Sequence, residues 1–135
     1  MYKNVLVPIA TDHDPHTDQA LTVARLLADE GASITALTVV EAIPEYIAMQ
    51  LPEGQIEKTQ NAAVSALKDE LTGSGIKVVA VSGHSGRTIL DWAEENKVDC
   101  IVMASHRPDL SDYFLGSTAA RVVRHAQCAV HVLRS

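Results

Sequence analysis

Apolar residues follow two alternating rhythms along the chain. Short, nearly continuous runs occur at KNVLVPI (3–9), SITALTVV (33–40), IKVVAVS (76–82), DCIVMA (99–104) and AVHVL (129–133). They have too few polar breaks for a sheet with one wet face, so they read as strands buried on both sides. Between them the period lengthens to that of a helix. Ala20, Leu21, Ala24, Leu27 and Ala28 stripe a first helix, capped by Asp14, opened by Pro15 and stopped by Gly31 after about Glu30. Ile56, Gln60, Ala63, Val64, Leu67 and Leu71 stripe a second helix that starts at Gln55 and ends before TGSG at 72–75. Ile89, Leu90 and Ala93 mark a third over about 86–96. Ala119, Val122, Val123 and Ala126 mark a fourth, with Ser117 or Thr118 as its cap.

Regular alternation of such strands with helices predicts a parallel sheet covered on both faces and joined by right-handed crossovers. Ligands of these sheets bind beyond the carboxyl ends of the strands, where the strand order reverses. The loops to watch are therefore 8–16, 41–54, 82–86 and 104–118. Trp92 and Phe114 are read as anchors of helix-to-sheet packing, and Cys100 and Cys128 as small core or edge residues.

The 135 residues suit a single domain spanning 1–135, and 47% hydrophobic residues suffice for a core without staples. Nothing approaches 18 continuous apolar residues, so neither a signal peptide nor a spanning helix is expected. Two cysteines that form no close pair fit a reduced, cytoplasmic protein. The net charge of −6 argues against nucleic acid or an anionic membrane as the main partner. The imbalance is local, however. Residues 1–70 hold 4 Lys/Arg against 11 Asp/Glu, and residues 71–135 hold 7 against 6, so a small anion suits the C-terminal half.

That half carries the chemistry. Gly116-Ser117-Thr118 opens a helix, where unpaired N–H groups and the positive dipole end favour phosphate. Just before it, Ser105-His106-Arg107-Pro108-Asp109 follows the fourth strand. Arg107 offers a planar fork to phosphate, and His106 a ring donor. The bland alternatives are an ordinary helix cap and a surface pair of Arg107 with Asp109 or Asp112. Neither GxxxxGK[ST] nor GxGxxG after the first strand is present, so P-loop hydrolysis and dinucleotide redox chemistry lack support. Asp12-His13-Asp14-Pro15-His16 has metal-ligand residue types but no companion set, and reads as a solvated acidic loop. Ser105 or Ser117 with His84 or His106 lacks a GxSxG elbow, so acyl transfer is weakly supported.

Four stretches resemble the universal stress protein family. They are NVLVPI (4–9), LTVV (37–40), SGHSGRTIL (82–90) and IVMASHRPDLSDYFLGSTAARVVRHAQCAVHVLR (101–134), and the likeness covers essentially the whole chain. The SHRPD form is similar to a bacterial branch of the family. The resemblance implies a three-layer α/β fold with an open parallel five-stranded sheet of order 3-2-1-4-5, adenine-nucleotide alpha-hydrolase-like and Rossmann-like. It also implies a homodimer through antiparallel contact of the last strands, 129–133 here, which would cover an apolar edge.

Many members bind ATP or a related adenine nucleotide, with or without magnesium; others do not. Carried over position by position, Pro8 and Ala10 match the end of the first strand, where ATP-binding members place an aspartate after VP-type residues. Asp12 lies two residues on. Val39 or Val40 matches the backbone that reads the adenine edge. Ala104 matches the first phosphate-loop glycine and Arg107 the second, with Ser105 and His106 between them. The stretch on to Gly116 is one residue shorter than the family's usual nine. Gly116 and Ser117, with Thr118 beside them, match the closing pair at the helix start.

The expectation is a cytoplasmic stress-response regulator that binds ATP, ADP or AMP as a homodimer, with Arg107 gripping phosphate where a glycine loop would wrap it. Slow ATP hydrolysis or autophosphorylation is the most enzymatic activity expected, because no well-placed general base stands out. The competing expectation is a nucleotide-independent dimeric scaffold acting on a signalling or transport partner, motivated by Ala10 and the nonglycine loop.

Overall fold

The computed structural model describes residues 1–9, 16–40, 46, 49–50, 54–104 and 116–133. Among the described residues five strands, β1 (Tyr2–Ile9), β2 (Ala28–Val40), β3 (Lys77–Ser82), β4 (Cys100–Ala104) and β5 (Ala129–Leu133), alternate with four helices. The helices are α1 (His16–Leu27), α2 (Gln55–Glu70), α3 (Ser85–Glu95) and α4 (Ser117–His125). The sheet runs β3-β2-β1-β4-β5 and every pairing is parallel. The order reverses between β1 and β4, and sheets of this kind hold ligands in the crevice at the C-terminal ends of such a strand pair.

Strand alternation divides the interior into two cores. Val5, Val7 and Ile9 of β1, with Ala36, Cys100 and Val102, meet Ala20, Leu21 and Ala24 of α1, together with Leu67 and Leu71 at the end of α2. On the other face Leu6, Leu37, Ile101 and Met103 meet Ile89 and Ala93 of α3 and Ala119 and Val122 of α4. Leu6, Leu37, Ile101 and Val122 are fully buried there. Trp92 packs against this second core, as its apolar surroundings on α3 predict. Burial pushes the Cys100 thiol up to about 11, with the Cys128 and Asp99 charges adding to it, and burial likewise raises Cys128. Both sulfurs are protonated at neutral pH, which suits core residues and not nucleophiles.

Two boundaries differ from the sequence pattern. The first helix ends at Leu27 instead of near Glu30, because Ala28 is drawn into the sheet as the partner of Tyr2. The next pair is Asn4↔Ser33, so β2 has three residues more than β1 over this interval. The surplus forms a bulge, in which Gly31 takes φ +80°. The fourth helix is capped by Gly116, with no side-chain cap bond, instead of by Ser117 or Thr118.

The β1–β4 seam is clamped at its N-terminal end. Asp99 accepts the N–H groups of Lys3 (2.8 Å) and Asn4 (3.0 Å) on its two carboxylate oxygens, and its own N–H donates to the Asn4 carbonyl at 3.0 Å. The Asn4 side-chain amide donates to the Asn96 carbonyl at 2.8 Å, tying β1 to the end of α3. That helix closes with Val98 N–H on Ala93 O and Lys97 N–H on Glu94 O, with Lys97 at φ 55°, a position glycine usually takes. Asp99→Ala should therefore cost about 2 kcal/mol by removing two charge-assisted acceptors. Asp99→Asn, which keeps one good acceptor, should cost roughly half of that. Urea unfolding with an unchanged m-value checks both.

Candidate functional site

Beyond its clamped end the seam opens. β1 and β4 pair only at Val5↔Cys100 and Leu6↔Ile101, although β1 remains paired with β2 as far as Ile9↔Thr38 and β4 with β5 as far as Ala104↔Leu133. Half-buried Pro8, one residue before the end of β1, and Ala104, the last residue of β4, therefore lie where the two strands no longer pair with each other. The start of α4 follows on the β4 side. Gly116 is buried, Ser117 exposed and Thr118 half-buried. Gly116 has φ −59° and ψ 155°, which any residue can adopt, so its conformation does not require glycine. What glycine adds here is a backbone without a Cβ at the mouth of a helix.

At the second strand the two valines are not equivalent. The Val40 carbonyl accepts the Gly83 N–H at 3.1 Å and is engaged on the β3 side. Peptide groups of successive strand residues face opposite sides, so those of Val39 turn toward β1. They lie one residue past the last β1–β2 pair. Of the two predicted adenine-edge residues, Val39 turns its backbone toward the end of β1 and Val40 toward β3.

The β3–α3 turn supplies residues that sequence reasoning passed over. The Ser85 and Thr118 hydroxyls are 3.0 Å apart and hydrogen-bonded, joining the first turns of α3 and α4. One residue on, a Cβ on Gly86 would come within 2.8 Å of the Arg121 Cδ, so glycine there lets the arginine stem lie across α3. Gly83 has φ +149°, and a Cβ on it would sit 2.4 Å from the Thr88 Oγ1. The turn thus holds the two helix starts side by side at the carboxyl edge of the sheet. SGHSG marks a tight turn in the sequence, but nothing local in it names Thr118 as a partner.

Ala10, Ser105, His106 and Arg107, four of the predicted site residues, lie outside the described residues, as do Asp12 to Pro15 and Phe114. Pro8, Val39, Val40, Ala104, Gly116, Ser117 and Thr118 all lie at the carboxyl edge of the sheet or at the start of α4. Among the described residues no group of His, Cys, Asp and Glu is gathered to hold a metal ion.

The model of the universal stress protein family matches residues 1–134. The chain belongs to that family. It is 28% identical to a universal stress protein of Methanothermobacter thermautotrophicus, over all of this chain and 97% of the relative. Among solved structures it resembles the universal stress protein UspA of Lactobacillus plantarum, with TM-score 0.75 and 26% identity over 98% of each chain. A universal stress protein solved in complex with cAMP shares the fold at TM-score 0.70 and 19% identity, over 99% of both chains. The sheet order expected from the universal stress protein resemblance is the order observed.

The hydroxyl pair is open to a double-mutant cycle. Ser85→Ala and Thr118→Val should each destabilise the fold, and the double variant should lose less than their sum. The coupling should be about 1 kcal/mol, measured by chemical denaturation. Strict additivity would show that the two hydroxyls do not support each other.

Proposed function

We propose that this protein is a homodimeric, cytoplasmic regulator of the stress response that binds an adenine nucleotide (ATP, ADP or AMP) in the open seam between β1 and β4. The observation that carries this reading is the parting of those two strands at the reversal of strand order, with the start of α4 alongside. The Val39 backbone reads the adenine edge, and Pro8 and Ala10 border the adenosine. Ala104, Ser105 and His106 follow β4 toward the ribose and phosphates. Arg107 grips the phosphates through its guanidinium, in the SHRPD form of the loop, and Gly116 and Ser117 meet them with backbone N–H groups and a hydroxyl. Thr118 acts through its bond to Ser85. Magnesium, when present, enters with the phosphates. A relative of the same fold is solved with cAMP, a ligand of the same adenine class.

Calorimetry with ATP and adenosine tests this reading. Arg107→Ala should weaken ATP by about 10- to 100-fold and leave adenosine nearly unchanged, since a charged hydrogen-bonding partner of phosphate is lost. Equal loss for both ligands would remove Arg107 from the phosphate site. Absence of ATP heat at millimolar ligand in the unsubstituted protein would favour a nucleotide-independent scaffold.

The dimer reading rests on β5. It is an edge strand paired only to β4 among the described residues, with Val130 and Val132 half-buried against the second core. Ala129 and His131 are exposed. Antiparallel contact of two such edges would bring His131 close to its copy, so His131→Asp should shift dimer toward monomer in sedimentation equilibrium. An unchanged dimer would place the interface elsewhere.

A further inference from the structure

Pro8 occupies a central strand, with β2 on one side and β4 on the other. A proline there is unusual, because it has no N–H to give to the ladder. The side on which the donor is missing can be read from the backbone. The Asn4 carbonyl accepts the N–H of Asp99, so Asn4 turns its peptide groups toward β4. Residues two apart face the same way, which directs Leu6 and Pro8 to β4 and Val5, Val7 and Ile9 to β2. The other edge of the sheet gives the same result. Val40 faces β3 through Gly83, so Leu37 and Val39 face β1, where Val7 and Ile9 meet them.

The two ladders of β1 behave as this predicts. Toward β2, six consecutive pairs run from Asn4↔Ser33 through Pro8↔Leu37 to Ile9↔Thr38 without a break at the proline. Toward β4, pairing stops at Leu6↔Ile101, just before the residue that has no donor. Continuing that register would set residue 8 opposite Met103, a residue still paired in β4 with Val132. The end of the seam is therefore not the end of either strand.

We infer that Pro8 is a positioning residue: by withholding an N–H from β4 it ends the β1–β4 ladder and holds the strands apart where the ligand enters. The part concerning the ligand rests on the adenine-nucleotide reading of the seam; the part concerning the ladder does not. The rival explanation is that sheet twist alone separates the strands, in which case restoring a donor at position 8 changes nothing.

Pro8→Ala in isotope-labelled full-length protein separates the two, with Pro8→Val as a second variant of higher strand propensity. The new amide at position 8 should exchange at least about 100-fold more slowly than an unprotected amide and show scalar coupling to a carbonyl of β4. In the same variants adenosine and ATP should both weaken by about tenfold or more, their ratio kept, in contrast to Arg107→Ala. A freely exchanging amide without coupling in both variants would overturn the role of Pro8 in the ladder. A protected amide with unchanged adenosine affinity would overturn its link to the site. If the unsubstituted protein binds neither ligand, the nucleotide reading fails, while the amide at position 8 still decides whether proline parts the strands.

Discussion

The seam between β1 and β4 is the constraint on which the rest of this structure depends. Among the described residues it is the only place where the halves β3-β2-β1 and β4-β5 share a backbone ladder, and that ladder is two pairs long. At its lower end the Asp99 carboxylate gathers two N–H groups of β1 and fixes where β4 starts. Above Leu6 and Ile101 the strands are no longer paired. A sheet joined in this way is closed at the bottom, by one carboxylate and a short ladder, and unpaired at the top.

The helices on one face complete the opening. α3 and α4 begin side by side at the same edge, joined by the Ser85–Thr118 hydroxyl bond and by the Arg121 stem lying over Gly86. Their opposite ends are anchored by Ile89, Ala93 and Val122 in the second core. The start of α4 is thus fixed against α3 by a polar and an apolar contact.

Much of this was legible from residue patterns. The continuous apolar runs gave four of the strands within a residue of their observed bounds, because a strand buried on both faces tolerates few polar positions; β2 alone starts five residues before its run, at Ala28. The stripes of α1 and α2 likewise predicted Ala20, Leu21, Ala24, Leu67 and Leu71 as buried. What stayed hidden depends on register, which no local window contains. Ala28 scored as helical until Tyr2 paired with it, and Gly31, expected as a helix stop, turned out to serve a bulge. Thr118 looked like a cap, yet its hydroxyl belongs to a residue 33 positions earlier. Val39 and Val40 were indistinguishable until Gly83 engaged one of them. Pro8 could be placed at the site by family likeness, but its effect on the ladder requires knowing which way its nitrogen faces.

The division of the interior into two cores bears on how this chain tolerates changes in length. Val5, Val7 and Ile9 of β1 feed one core and Leu6 the other, and β4 divides its side chains in the same way between Cys100 and Ile101. One residue inserted or lost within either strand would exchange the two sets, sending each side chain to the wrong helices and moving the proline to the other neighbour. Variation in length must therefore collect in the connections. The connection between β4 and α4, which carries Arg107 and Gly116, is a place where a chain built on alternation can vary in length without rewriting its interior.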